Sequence, residues 1–164
     1  MAVALIMYVL FIVTAMYYAV ANGRPTMVSE IYYGMGRNWL MPLLLVAMAF
    51  TFLPTMLDMG DFDAAAFLTC AGLAFVGTAP AYLEEGDRAV HKAGAIVSAL
   101  ASVMWGMATM PAVVAVYGVA AVVAAVTDRR CWLFWCELCA VSCVAAIIAL
   151  KRITGLTEPI CAAA

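Results

Sequence analysis

The chain has 164 residues, of which 68% are hydrophobic and 11% charged, with a formal net charge of −2 and a mean hydropathy of +1.08. Soluble domains carry roughly 25% charged residues because their surface must be polar, so the composition argues against a water-exposed globular fold. The small net charge gives no reason to expect nucleic acid as a partner. No low-complexity or Pro/Gly-rich stretch divides residues 1–164, which read as one transmembrane domain.

The first apolar run covers about 2–21. It ends in "YAVAN", where Ala19 and Ala21 have the spacing of a signal-peptidase site. No basic residue precedes the run, however, and the run is long, so a retained helix is expected. The next stretch, 22–38, contains "SEIYYGMGRN" and is longer than a plain helix–helix connection needs. Ser29 suits a cap, and Tyr32 and Tyr33 carry apolar rings with polar tips. We expect this loop to fold over the mouth of a helical bundle. Glu30 or a tyrosine hydroxyl would then meet Arg88, His91 or Glu137. The alternative is an interfacial loop whose tyrosines sit among lipid headgroups.

The second run covers 39–57 and ends in an acidic turn of Asp58, Asp61 and Asp63. The third covers 64–83 and is followed by Glu84, Glu85, Asp87, Arg88 and His91. From 92 to 126 the chain is almost uncharged. As one helix this stretch would exceed ~50 Å, too long for a bilayer. Pro111 lies in its middle, and proline ends or kinks a helix. The spacing predicts two helices, 92–109 and 111–126, joined by a tight hairpin; one long kinked helix is the alternative.

In the first of these, Gly94, Ser98, Ser102 and Gly106 recur every four residues and so share one face. Small residues there allow close backbone approach. The expectation is a central helix of the bundle, with self-association of the chain through the same seam as the other reading.

The last run, 132–150, opens with Trp132 and Trp135 and carries Glu137. The tryptophans suit a membrane interface. A carboxylate beyond them is costly unless partnered, so it should face the bundle interior. Glu137 is thus either a ligand or proton site, or a structural polar contact between helices. Cys136, Cys139 and Cys143 form a stripe on the same helix. Cys136 and Cys139 make a C-x-x-C, and a thiol-redox protein is one reading. Packing is the other, since a redox pair wants access and a depressed pKa and cysteine is otherwise a small apolar residue. A single histidine makes a zinc centre improbable, and neither a metal nor a cofactor is expected.

Together these runs predict an all-α, polytopic integral membrane bundle of six transmembrane helices. With six helices, one side would carry Arg24, Arg37, Arg88, Lys92, Arg129 and Arg130, and the other Lys151 and Arg152. The excess of basic residues marks the cytoplasmic side, which puts both termini outside.

Three stretches carry a resemblance: "SEIYYGMGRNW" after the first helix, "CAGLAFVGTAPAYLE" with the following His91, and "WLFWCE" opening the last helix. They resemble bacterial six-helix membrane proteins of unknown function. More distantly they are similar to DRAM-like and GPI-lipid-remodelling membrane proteins. The resemblance implies a bacterial inner-membrane protein tied to lipid handling, with Glu30, Tyr32, Tyr33, His91 and Glu137 as site positions. It also implies a cytoplasmic N-terminus, opposite to the charge tally.

The functional expectation is binding of a lipid or small amphiphile in a polar-lined pocket near one leaflet. Glu137, His91, Arg88, Glu30, Tyr32 and Tyr33 would line or cover it, and membrane lipids would be the partners. Rival readings are a lipid-modifying enzyme using Ser29, Ser98, Ser102 or a cysteine, the Cys136/Cys139 redox protein, a transporter, and a structural or assembly protein.

Overall fold

The computed structural model describes residues 1–36, 39–59, 62–78 and 85–155, with 85–87 described as backbone only. Among these residues the chain forms seven α-helices and no strand. They are α1 (Ala2–Asn22), α2 (Glu30–Gly34), α3 (Leu40–Leu57), α4 (Asp63–Thr78), α5 (Glu85–Thr109), α6 (Pro111–Thr127) and α7 (Trp132–Gly155).

Helix is the natural state of these apolar runs, because it satisfies its own backbone groups without water. The polar side chains within the runs conform. The hydroxyls of Thr51, Thr55, Thr69, Thr109 and Thr127 each donate to the carbonyl four residues earlier, which removes an otherwise unpartnered donor. Gly23 ends α1 at a φ of 88°, a conformation open to glycine and strained for other residues.

Pro111 divides the 92–126 stretch as its sequence predicts. Met110 leaves helical geometry at φ −149°, ψ 77°. Its amide closes α5 on the Gly106 carbonyl at 2.7 Å, and its carbonyl accepts the Val113 amide at 3.0 Å to start α6. Proline at the first position of α6 loses nothing, since that amide has no partner within a helix.

The start of α5 differs from expectation. The helix begins at Glu85, seven residues before Lys92. Hydropathy stops where charge begins, but helix does not: acidic residues in a first turn favour the helix dipole. The third run is described as helix to Thr78, and its expected end at Leu83, with Glu84, lies outside the described residues, as do Arg37, Asn38 and Asp61.

Four helices are long and apolar enough to cross a membrane: α1, α3, α5 from Arg88 onward, and α7. α4 and α6 are apolar but have 16 and 17 residues, giving lengths of about 24 and 26 Å. The chain is therefore a helical, membrane-associated one. Its outer faces suit that setting: Ile6, Val13, Val20, Phe50, Phe67 and Leu100 are all large, apolar and exposed.

The helices close into a ring. α1 packs on α3, α3 on α4, α4 on α5, α5 on α7, and α7 back on α1. α6 lies outside, against α5 and α7, and has no buried residue. The small-residue seam thus puts α5 in the ring wall, where a central helix was expected, and no helix fills the middle.

The seam works within the chain. A β-carbon on Gly72 of α4 would lie 2.6 Å from the Gly94 carbonyl oxygen and 2.8 Å from the Ser98 β-carbon. Ser98 Oγ donates to the Thr69 carbonyl at 2.9 Å. At the far end, Gly106 makes room for Val114 and Ile147.

This contact generates a test. Gly72→Ala drives a methyl group into backbone, and overpacking of this kind costs about 1–3 kcal/mol. The melting temperature of the solubilised protein should fall. Gly118→Ala, at an exposed site with nothing within 4 Å, should leave it unchanged or higher.

Candidate functional site

The segment from Gly23 to Gly36 connects α1 to α3 across one end of the ring. Its later part bonds locally around α2, but residues 23–29 are not helical and need partners from turns, side chains or other elements. α7 and the turn before it supply several of them. The Phe134 amide donates to the Thr26 carbonyl at 3.0 Å. Glu137 Oε2 accepts the Val28 amide at 2.7 Å. The Cys131 thiol reaches the Arg24 carbonyl at 3.6 Å. The Arg24 guanidinium pairs with Asp128 Oδ2 at 2.7 Å, and the Trp135 indole donates to the same oxygen at 3.4 Å. The segment is sewn to the start of α7 through backbone and side chain alike.

Glu30 acts within the segment. Its Oε2 accepts the Thr26 amide at 2.8 Å and its Oε1 accepts the Thr26 hydroxyl. Ile31, one residue on, is fully buried. Glu30 therefore shapes the turn. Ser29 occupies the N-cap position of α2 without a side-chain cap bond.

Below this segment lies a cavity of about 300 Å³ inside the ring, at the lower end of the size of small-molecule sites. Every ring helix contributes to its wall: Phe11 of α1, Met41 and Phe52 of α3, Leu73 of α4, His91 and Ser98 of α5, Glu137 and Val144 of α7. Val28, Ser29 and Tyr32 of the connecting segment form its end. The wall is chiefly apolar, and Glu137, His91 and Tyr32 come from the end at the segment. His91 is 5% exposed, and Glu137 is part-buried.

The expected site residues divide. Glu137, His91 and Tyr32 share the cavity. Tyr33 is half-exposed, its ring packed edge-on against Tyr32 at 5.1 Å, so it buttresses Tyr32 from outside. Arg88 is exposed on α5 and lines no part of the cavity. Cys136 lines the cavity, Cys139 is part-buried and Cys143 is buried. No group of three or more His, Cys, Asp or Glu side chains among the described residues could hold a metal.

Sequence reasoning missed three polar contacts. Arg24 with Asp128 joins residues 104 positions apart. The Tyr8 hydroxyl donates to Ser142 Oγ at 2.9 Å, joining α1 to α7 in the middle of two apolar runs. The third is the choice of a backbone amide, Val28, as the partner of Glu137. The only available signal was a hydroxyl or carboxylate inside an apolar helix, which announces a partner without naming it.

No family model, no curated protein and no solved structure matches the chain.

The Glu137 contact predicts a local effect. Glu137→Leu strands the Val28 amide, and an unsatisfied buried donor costs about 1–3 kcal/mol. Amide exchange across Val28–Met35 should accelerate roughly tenfold or more, with the middle of α4 unaffected. Glu137→Gln keeps an acceptor oxygen and should retain most of the protection. Equal exchange in all three proteins would remove Glu137 as the anchor.

Proposed function

We propose that the chain is a six-span membrane protein that binds a lipid or small amphiphile inside its helical ring. One observation carries this reading: a chiefly apolar cavity in which Glu137, His91 and Tyr32 gather at one end under a folded-over segment. A molecule with a polar head and an apolar body matches that gradient. Ligand sites are typically concave, mainly apolar and furnished with a few placed polar groups. Intramembrane ionisable residues mark functional sites by default. The resemblance of the loop motifs to lipid-handling membrane proteins points the same way.

In this reading α4 and α6 are spans too, the 17 residues of α6 being met by local thinning of the bilayer. The connecting segment at 23–36 lies on the cytoplasmic side of a bacterial inner membrane, and the termini lie outside, following the lysine and arginine tally. The cavity volume is too small for a whole two-chain phospholipid. It accommodates one acyl-type chain or a small single-chain molecule.

The entrance is lateral. Ile96 and Ala99 of α5 line the cavity yet are exposed on the outside of the ring. Across from them, Leu133, Cys136 and Ala140 of α7 are part-exposed cavity residues. α6 covers α5 near the Gly106–Val114 contact. Ile96 borders the opening between α5 and α7.

Native mass spectrometry of the gently extracted protein tests the reading. The wild type should carry a bound lipid-sized mass. Ala140→Phe, which fills the cavity while leaving both Glu137 and His91 in place, should lose it. Equal retention by the two proteins would sink the proposal. Ile96→Trp narrows the lateral opening, so uptake of an added single-chain lipid should slow several-fold while the final amount bound changes little.

A further inference from the structure

Resting on the binding reading above, we infer that the cavity selects a single-chain amphiphile whose head donates hydrogen bonds and carries no negative charge. A long-chain alcohol or amine has that chemistry; a fatty acid or an alkyl phosphate does not. The inference comes from what the wall presents. Its ionisable side chains among the described residues are Glu137, His91, Tyr32 and Cys136, and of these the carboxylate of Glu137 is the acid.

No described lysine or arginine lines the cavity. Arg24 is held by Asp128 outside it. Arg88, Lys92, Arg129 and Arg130 are exposed, and Lys151 and Arg152 lie at the opposite end of α7. A buried anion needs a cation or several donors to replace its water. Beside His91 and Tyr32 the cavity sets a carboxylate, and like charges at short range disfavour each other.

The hydroxyls along the wall reinforce this polarity. Thr69 donates to the Ala65 carbonyl, Ser98 to the Thr69 carbonyl, and Ser102 to the Ala99 carbonyl. A hydroxyl has one hydrogen to give and lone pairs left to accept with. With those hydrogens engaged, these three wall positions present acceptors. Glu137 adds more acceptor capacity: one backbone amide on Oε2 leaves most of the roughly four lone-pair sites of a carboxylate.

The cavity is also deep enough for a chain. His91 and Ser102 both line it and are separated by about 16 Å along α5.

The test uses the full chain in lipid nanodiscs, with empty nanodiscs as the blank. Equilibrium retention of deuterated decanol, decylamine and decanoate is measured at pH 8, where the acid is anionic. The wild type should retain the alcohol or the amine at least tenfold better than decanoate. Glu137→Gln keeps the Val28 acceptor and removes the charge, and it should reduce that preference to threefold or less.

A stronger fall for the amine than for the alcohol would assign the head contact to charge pairing. Equal falls would assign it to hydrogen bonding; both support the inference. Decanoate retained as well as the alcohol and amine would overturn the head-group assignment while leaving the binding reading in place. No probe retained better by the wild type than by Ala140→Phe would overturn both.

Discussion

The acceptance of the Val28 amide by Glu137 is the contact on which the rest of the arrangement hangs. A helix carries its own backbone partners into an apolar environment, but residues 23–29, between α1 and α2, are non-helical and take partners from side chains and other elements. α7 lends a carboxylate to one amide and takes a carbonyl for its own Phe134 amide. The two bonds lie on successive parts of the segment and the same first turns of α7. They hold the segment across the ring, and Glu30 folds it tightly enough to bury Ile31 there. Without that closure the ring would be an open-ended groove, and Ser29 and Tyr32 would not reach the cavity.

The cavity itself follows from unequal packing around the ring. On one side, α4 and α5 approach until Gly72 and Gly94 are nearly backbone to backbone. The interhelical bond from Ser98 and the engagement of α3 with α4 make this half dense. On the other side α5 and α7 run in the same direction, since the antiparallel α6 intervenes in the chain. α6 packs outside them, leaving the inner wall between α5 and α7 loosely filled. Small side chains on the wall, Ala95, Ala99 and Ala140, keep the space open. The same alanines that permit close packing elsewhere leave a void where no second helix comes to meet them.

Glu137 therefore has two roles open to one carboxylate. One oxygen secures the connecting segment, and the group as a whole sets the polarity of the cavity end. A structural and a ligand-facing role are commonly weighed as rivals, but in the binding reading proposed above both fall on the same side chain. Tyr32 is similar in kind: its ring rests against exposed Tyr33 while it contributes to the cavity end.

Much of the helical layout was legible in the chain alone. Apolar runs of near-constant length, and Pro111 within the longest of them, follow from the rules of an apolar solvent, which act locally along the sequence. So does the inward placement of Glu137, because a carboxylate has nowhere else to go. The seam of Gly94, Ser98, Ser102 and Gly106 announced a close neighbour, and Glu85–His91 concealed a helical start because charge there serves the helix dipole.

What residue types cannot state is which partner answers. Arg24 meeting Asp128, Tyr8 meeting Ser142 and Glu137 choosing a backbone amide are all settled by how the ring closes. So is the hollow middle, where the sequence pointed to a helix. The sequence determined where helices form and which faces avoid lipid, since those depend on single side chains and their spacing. Only the tertiary structure decided that the faces surround a space, because a void is a property of five helices failing to meet.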